Sequence, residues 1–408
     1  MAAKLDIVIV GGCGHVGLPL GIVLATRGAA QVTLLDVEAS KIETVNGGRM
    51  PFMETGAESL LRSVIGRKLG ATLDTACLRT ADIVITVVGT PVDEHLNPTV
   101  TGLFENVDRL LTEMKDDSLL ILRSTVYPGV TKLVYERIQA RGRSIHLAFC
   151  PERIAEGKAL EELVTLPQIV GAFEPEAQAK ARDLFLRIAP KIIDLPPLEA
   201  ELAKLFTNSW RYLNFAVSNQ FYMLAESYGL DFGRIHSAVV QDYPRMRSFA
   251  RAGFAAGPCL WKDTLQLAAF SGNNFFMGHA AMLINEGLPN FIVNQLKKQK
   301  LSLQRIAILG MAFKGDSDDM RCSLSYKLRK LLLLEACEVF CSDPYVQDPS
   351  LVSVEEAIGR ADIVILGAPH SVYRDLKIPA DKSLLDIWGF WPKTQSPAAE
   401  TPELVHAR

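Results

Sequence analysis

Leu5-Asp6-Ile7-Val8-Ile9-Val10-Gly11-Gly12-Cys13-Gly14-His15-Val16-Gly17-Leu18-Pro19 decides the fold. The first six residues read as a buried strand, and an apolar helix through Leu24 and Ala25 follows the glycines. Gly12, Gly14 and Gly17 fit the spacing G-x-G-x-x-G. In that pattern the first glycine makes the turn, the second admits a pyrophosphate, and the third lets helix and strand pack. The unpaired N–H groups at the start of the helix favour the anion. A second strand, Gln31-Val32-Thr33-Leu34-Leu35, ends in Asp36, where an acid binds the adenosine ribose hydroxyls. Asp36 would repel a 2′-phosphate, so the expected cofactor is NAD rather than NADP. Strand, glycines, helix, strand and acid in one run distinguish this stretch from a bare glycine triplet.

Two further strands open into polar loops, Asp82–Val88 into Gly89-Thr90-Pro91 and Leu119–Arg123 into Ser124-Thr125-Val126. Ligands of an open parallel sheet lie beyond the carboxyl ends of its strands, so Thr90, Ser124 and Thr125 either face the cofactor or cap the next helix. After the next apolar run, Pro151-Glu152-Arg153-Ile154-Ala155-Glu156-Gly157 puts Glu152 and Glu156 either at the rim of that crevice or among ordinary solvated acids.

Pro196-Pro197 breaks the chain, and helical periodicity runs from Leu198 to about Tyr228. Leu202, Leu205, Phe206, Leu213 and Val217 mark an apolar side, while Glu201, Lys204, Asn208 and Arg211 recur at spacings of three and four on another face. By itself such a stripe reads as a solvated face with a Glu–Lys pair. Helical segments continue at Leu265–Phe270 and Ala280–Gln295, and a helical region between two α/β parts commonly forms a dimer interface. Ahead of them stands Gly253-Phe254-Ala255-Ala256-Gly257-Pro258-Cys259-Leu260-Trp261-Lys262-Asp263. Gly257 and Pro258 allow close backbone approach to a ligand. A cysteine beside a cation has more thiolate, the nucleophilic form. The alternative is a buried structural cysteine before a helix starting near Lys262.

The C-terminal third echoes the first. Arg305–Leu309 is a strand ending in Gly310, Val339-Phe340-Cys341-Ser342-Asp343 mirrors the strand ending in Asp36, and Ala361-Asp362-Ile363-Val364-Ile365 repeats Ala81-Asp82-Ile83-Val84-Ile85. The loop Met311-Ala312-Phe313-Lys314-Gly315 lacks the glycine triplet but offers a lysine, a point charge suited to phosphate, and Arg321 is expected on the next helix. The predicted fold is α/β, with two Rossmann-like doubly wound parallel-sheet domains joined by a long central helix and a helical dimerisation region. The expected boundaries are 1–196 for NAD binding, 197–298 for the helical segment with Cys259, and 299–408 for the second Rossmann-like domain.

The 408 residues suit two or three domains at roughly 100–200 residues each. A net charge of −3, from 43 basic and 46 acidic residues, makes nucleic acid an unlikely partner. No run of about 18 apolar residues and no signal-peptide pattern occurs, so neither a membrane span nor secretion is expected. Seven scattered cysteines argue for a reducing cytoplasm, and Cys337 and Cys341 lack the second pair that a zinc site needs, so no metal is expected.

With these motifs in order, nearly the whole chain resembles the UDP-glucose/GDP-mannose dehydrogenase family. The resemblance rests on Gly12–Pro19, Asp36 with Lys41 and Asn46, Thr90-Pro91, Ser124-Thr125-Val126, Pro151-Glu152 with Glu156-Gly157, Glu201 to Asn208, Pro244-Arg245, Cys259 with Lys262-Asp263, and Phe313-Lys314 with Arg321. It implies oxidation of a UDP-sugar's C6 alcohol to the carboxylate with two NAD and one water, in a homodimer. Cys259 matches the nucleophile that carries the thiohemiacetal and thioester. Lys204 and Asn208 match the oxyanion pair, Asp263 the general base, and Glu152 and Thr125 residues for acid–base work and water positioning. Gly12, Gly14, His15, Val16, Gly17, Asp36, Lys41, Thr90, Thr125, Glu156, Lys262 and Arg321 match cofactor contacts. Glu152, Lys204, Asn208, Gly257 and Lys314 match substrate contacts, and Arg245 an arginine that reaches substrate in the partner subunit. Ala255-Ala256-Gly257-Pro258 and Trp261 depart from the family pattern beside the cysteine, which leaves open UDP-glucose or a UDP-N-acetylhexosamine. Cys13 and His15 depart from it in the glycine loop, and the remaining histidines read as structural or surface residues. A one-step hydroxyacid dehydrogenase of the 6-phosphogluconate type is the competing reading. It would need neither Cys259 nor a second nucleotide domain. A non-catalytic NAD-binding regulator would leave Cys259, Lys204 and Asp263 without a purpose.

Overall fold

The computed structural model describes residues 5–28, 30–89, 100–255, 257–298 and 300–391. Thr90, Pro91, His95, Ala256 and His406 lie outside the described residues. The chain forms two compact units, residues 1–207 with 269–271, and residues 208–268 with 272–408.

The first unit is built on eight strands: β1 (Leu5–Val10), β2 (Ala30–Leu35), β3 (Leu69–Thr72), β4 (Ile83–Thr86), β5 (Leu119–Leu122), β6 (His146–Phe149), β7 (Gln168–Ala172) and β8 (Ile192–Leu195). Their order is β3-β2-β1-β4-β5-β6-β7-β8, parallel except for one antiparallel step between β6 and β7. β4 and β5 are buried along their whole length. This is why they read as unbroken apolar runs: a parallel sheet is covered on both faces. The order reverses between β1 and β4, the switch point beyond which ligands of such sheets bind. The helix Gly17–Arg27 packs against β2, with Gly17 to Ala25 all buried.

In the second unit β9 (Arg305–Leu309), β10 (Glu338–Ser342), β11 (Ile363–Leu366) and β12 (Ser383–Leu385) form an all-parallel sheet in the order β10-β9-β11-β12. Its core is continuous with the helical segment: Tyr222, Phe232, Phe254, Leu288 and Ile292 pack in one cluster with Ile306, Ile308, Leu328 and Ile365. The long helix, Pro197–Ser227, starts in the first unit and ends in the second. The helices Leu260–Phe270 and Phe276–Lys297 follow. Both sheets and the long helix match the expected fold class. The pair β7 and β8, which run opposite to the other strands of the sheet, is an addition to it. No helix among the described residues is long and apolar enough to cross a membrane.

Candidate active site

The glycine loop is shaped by steric need at two positions and left open at the third. A Cβ on Gly12 would lie 2.7 Å from the Ile9 carbonyl and from Leu34, and one on Gly17 would lie 2.8 Å from Gly11 and Gly12 backbone. A Cβ on Gly14 would meet no other protein atom closer than 3.6 Å. The chain itself therefore leaves room at Gly14, which is the space a pyrophosphate would need in a loop of this pattern. Asp36 accepts hydrogen bonds from the Cys13 N–H at 2.9 Å on one oxygen and from the Val37 and Glu38 N–H groups at 2.8 and 3.2 Å on the other. A carboxylate has about four acceptor positions, so one remains for a ribose hydroxyl. His15 and Val16 occupy the turn itself, and the His15 ring lies 4.0 Å from that of Phe52. Lys41 pairs with Glu38 at 2.7 Å. These residues fit NAD.

The echo of Asp36 in the second unit has a different role. Asp343 takes the Met311 and Ala312 N–H groups and His370 Nε2 on one oxygen, and the Tyr345 and Val346 N–H groups on the other. Its side chain is fully buried and its acceptor positions are used up. Burial raises the Asp343 pKa, but the hydrogen bonds from His370 and from the backbone N–H groups outweigh it and hold the carboxyl at about 2. His370 Nδ1 in turn accepts from the Asp316 N–H at 3.0 Å. The second acid is a brace for the loop after β9.

Beyond β5, the Ser124 hydroxyl donates to the Val88 carbonyl at 2.6 Å, and Thr125 beside it is half-buried. Glu152 is buried. One oxygen accepts from the Arg153 and Ile154 N–H groups, and the other pairs with Arg123. Arg123, itself fully buried, also donates to the Cys150 carbonyl at 3.1 Å and to Gln168 at 3.0 Å, and lies over the Phe185 ring. Sequence reading passed over Arg123 because a single arginine at a strand end carries no motif. Glu156 is half-buried in the loop before the helix Ala159–Thr165.

The polar face of the long helix is its buried face. Glu201, Lys204 and Asn208 are 1, 8 and 4% exposed, whereas Phe206 and Trp210 are 55 and 62% exposed. This reverses the solvated stripe that the spacing alone suggests, and Arg211, the fourth member, is exposed. Glu201 is structural. Its carboxylate accepts from the Gly129 and Thr131 N–H groups and the Thr131 hydroxyl at the start of the helix Val130–Ala140, and burial raises its pKa.

Cys259 immediately precedes the helix Leu260–Phe270, and its carbonyl accepts the first helical bond, from the Asp263 N–H at 2.9 Å. The helix thus starts two residues earlier than the expected Lys262, and the sulfur lies at the end where unpaired N–H groups favour negative charge. Cys259 is exposed, unlike the structural cysteine of the alternative reading. One turn on, Asp263 is 1% exposed, accepts from Asn208 Nδ2 at 2.6 Å and pairs with Lys262 Nζ at 3.1 Å. Burial pushes the thiols of Cys13 and Cys150 up to about 12 and that of Cys341 to about 11, which removes them as nucleophiles. Among the described residues no disulfide is present.

The other expected contacts lie in the same unit. Gly257 has φ +97, and a Cβ there would come within 2.6 Å of Phe313. Lys314 is half-buried, 5.8 Å from the centre of the Phe313 ring. Arg321 is in a turn before the helix Leu324–Leu332, not on the helix as expected, because Ser323 caps that helix and Arg321 folds back onto Asp319. Arg245 is exposed in a short turn, its guanidinium 3.1 Å from the Tyr243 hydroxyl.

Three models of one family match the chain in order. The NAD binding domain of the UDP-glucose/GDP-mannose dehydrogenase family matches residues 6–189, its central domain residues 198–286, and its UDP binding domain residues 307–392. A UDP-N-acetyl-D-mannosamine dehydrogenase of Methanococcus maripaludis is 27% identical over 90% of this chain and 86% of its own. An NDP-N-acetyl-D-galactosaminuronic acid dehydrogenase of Ralstonia nicotianae is 25% identical over 93% of this chain and 95% of its own. The solved structure of a UDP-D-ManNAc dehydrogenase from Pyrococcus horikoshii superposes with a TM-score of 0.86 at 26% identity, covering 95% of this chain and all of that one. A UDP-glucose dehydrogenase from Pyrobaculum islandicum shares the fold with a TM-score of 0.87 at 24% identity, covering 96% of this chain and 97% of that one. The chain belongs to the UDP-glucose/GDP-mannose dehydrogenase family, the NAD-dependent nucleotide-sugar dehydrogenases.

Proposed function

We propose that this enzyme oxidises the C6 hydroxyl of a UDP-sugar to the carboxylate in two stages, with Cys259 holding the intermediate covalently. The observation that carries the proposal is an exposed thiol at a helix N-terminus, with a buried Asp263 one turn away between Asn208 and Lys262. NAD, when bound, supplies the hydride acceptor for each stage. The Cys259 thiolate adds to the carbonyl carbon of the C6 aldehyde, forming a C–S bond, and the oxygen takes a proton to give a thiohemiacetal. Loss of hydride and that proton leaves a thioester. Water then adds to the thioester carbon as one of its protons passes to Asp263, and the C–S bond breaks to release the thiolate and the carboxylic acid, which gives its remaining proton to solvent. Lys204 and Asn208, one helical turn apart, donate to the oxygen on which charge develops. Glu152 and Thr125 position the water, and the Arg123 pair fixes the Glu152 carboxylate.

In this reading Gly12, Gly14, His15, Val16, Gly17, Asp36, Lys41, Thr90, Glu156, Lys262 and Arg321 bind NAD, and Gly257 and Lys314 bind the UDP-sugar. The assembly is a cytoplasmic homodimer of three-part chains, divided near residues 196 and 298, in which Arg245 reaches the partner's substrate. The relatives named for N-acetylhexosamine substrates favour such a sugar over UDP-glucose. The test is a panel of UDP-glucose, UDP-GlcNAc, UDP-ManNAc and GDP-mannose offered to the native enzyme and to Cys259→Ser. The expected result is a UDP-N-acetylhexosamine as best substrate, with turnover lost in the variant and an aldehyde or covalent adduct trapped. Normal turnover by Cys259→Ser would exclude the thioester route, and preference for GDP-mannose would exclude the substrate class.

A further inference from the structure

The segment that leads into Cys259 belongs to neither sheet. The described residues from Arg247 to Gly257 form no strand and no helix, so their backbone groups need partners from elsewhere. The long helix provides them in a row. Asn214 Nδ2 donates to the Ser248 carbonyl at 2.9 Å, and the Ser218 hydroxyl donates to the Ala250 carbonyl at 2.7 Å. Asn219 takes both groups of Gly253: its Oδ1 accepts from the Gly253 N–H at 2.9 Å, and its Nδ2 donates to the Gly253 carbonyl at 3.0 Å. Only one orientation of the amide serves both. Asn285, on the helix Phe276–Lys297, selects that orientation. Its Oδ1 accepts from Asn219 Nδ2 at 2.9 Å, and its own Nδ2 donates to the Tyr212 carbonyl at 3.1 Å. Both asparagines are fully buried. Gly253 has no slack on its other side, since a Cβ there would lie 2.3 Å from the Trp388 ring.

We propose that Asn219, oriented by Asn285, is a positioning residue that sets the location of the Cys259 sulfur by clamping Gly253, six residues upstream. The proposal rests on the reading of Cys259 as the nucleophile. Neither asparagine touches the reacting atoms. Their effect passes through Phe254 and Ala255, both buried, to Gly257, which is held against Phe313. Displacement of a reacting group by about 1 Å costs on the order of 10²-fold in rate.

The test compares Asn219→Asp, Asn285→Leu and Ser218→Ala in the full-length enzyme. Two readouts are taken: steady-state kinetics, and the rate at which iodoacetamide alkylates Cys259, resolved from Cys322 and Cys337 by peptide mass spectrometry. A positioning role predicts that Asn219→Asp and Asn285→Leu lower kcat by about 10- to 100-fold, with KM for NAD within about twofold of the native value. It also predicts a change of about fivefold or more in the alkylation rate of Cys259, with that of Cys337 unchanged. Ser218→Ala, which loses a contact farther from the cysteine, should leave both readouts within about twofold. If Asn219→Asp does not fold, Asn285→Ser, which leaves every Gly253 hydrogen bond available, carries the same comparison. Native Cys259 alkylation in folded Asn285 variants, or a loss of kcat that follows thermal stability equally in all variants, would overturn the proposal. The alkylation readout needs no turnover, so it separates failure of the clamp from failure of the proposed reaction.

Discussion

At the scale of single residues, two aspartates that look alike in sequence do different work. Asp36 and Asp343 each end the second strand of a Rossmann-like unit, and each accepts N–H groups from the loop after the first strand. Asp36 keeps an acceptor position for a ligand. Asp343 is fully buried, its positions filled by four N–H groups and His370. Sequence reading found the echo but could not tell a ligand site from a brace, because the difference lies in His370, 27 residues away. The Asp343 carboxyl lies at about 2 in the fold against an ordinary 3.8, a contribution of about 2 kcal/mol. A depressed carboxyl stabilises the fold above its unfolded pKa. The contribution is therefore whole above about pH 4 and disappears as pH falls through about 2. Asp343→Asn should lower the unfolding free energy by at least about 2 kcal/mol at pH 7, since its NH2 also faces buried donors, and flatten the decline between about pH 4 and 2, as read by denaturant titration across that range. An unchanged acid limb would show that the brace carries no such stability. The catalytic candidates were more legible, because Cys259, Lys262 and Asp263 sit together in one stretch of sequence. Arg123 was not, since nothing in sequence pairs it with Glu152.

At the scale of elements, the glycine loop and the long helix make opposite points. In the loop, spacing alone identified the three glycines, and the structure divides their roles. Gly17→Ala should destabilise the fold, because its Cβ would lie 2.8 Å from backbone that cannot yield. Gly14→Ala should melt within a few degrees of the native protein yet raise KM for NAD by about tenfold or more, equivalent to about 1.4 kcal/mol of binding. Equal loss of stability in both variants would contradict this division. In the long helix, periodicity found the element but misread which face is wet. Polar side chains are buried there because specific partners receive them, as the N–H groups of Gly129 and Thr131 receive Glu201. The exposed face instead carries Phe206, Trp210, Val217, Phe221 and Leu224, each more than 40% exposed. Their spacing keeps them on one side of the helix. A contiguous exposed apolar stripe marks an association surface, and a second copy of the chain is the proposed partner. Trp210→Glu should halve the molar mass measured by light scattering, and an unchanged mass would place the contact elsewhere.

At the scale of the whole molecule, the fold class followed from strands that alternate with helices and from apolar runs buried on both faces. The reversed pair β7 and β8 did not follow, because strand direction is set by how the connection crosses the sheet and not by composition. The boundary of the compact units, at Thr207 within the long helix, was equally invisible: helical periodicity runs through it unbroken. Function at this scale depends on having more than one dehydrogenation needs. A single hydride transfer requires neither an exposed thiol at a helix N-terminus nor a buried carboxylate one turn beyond it. Both are explained if the aldehyde is captured and oxidised again. The most direct measurement is the number of NADH molecules formed for each UDP-sugar consumed by the native enzyme with NAD in excess. The account predicts two, with the uronic acid as the only product. One NADH per sugar, with an aldehyde or ketone released, would contradict it.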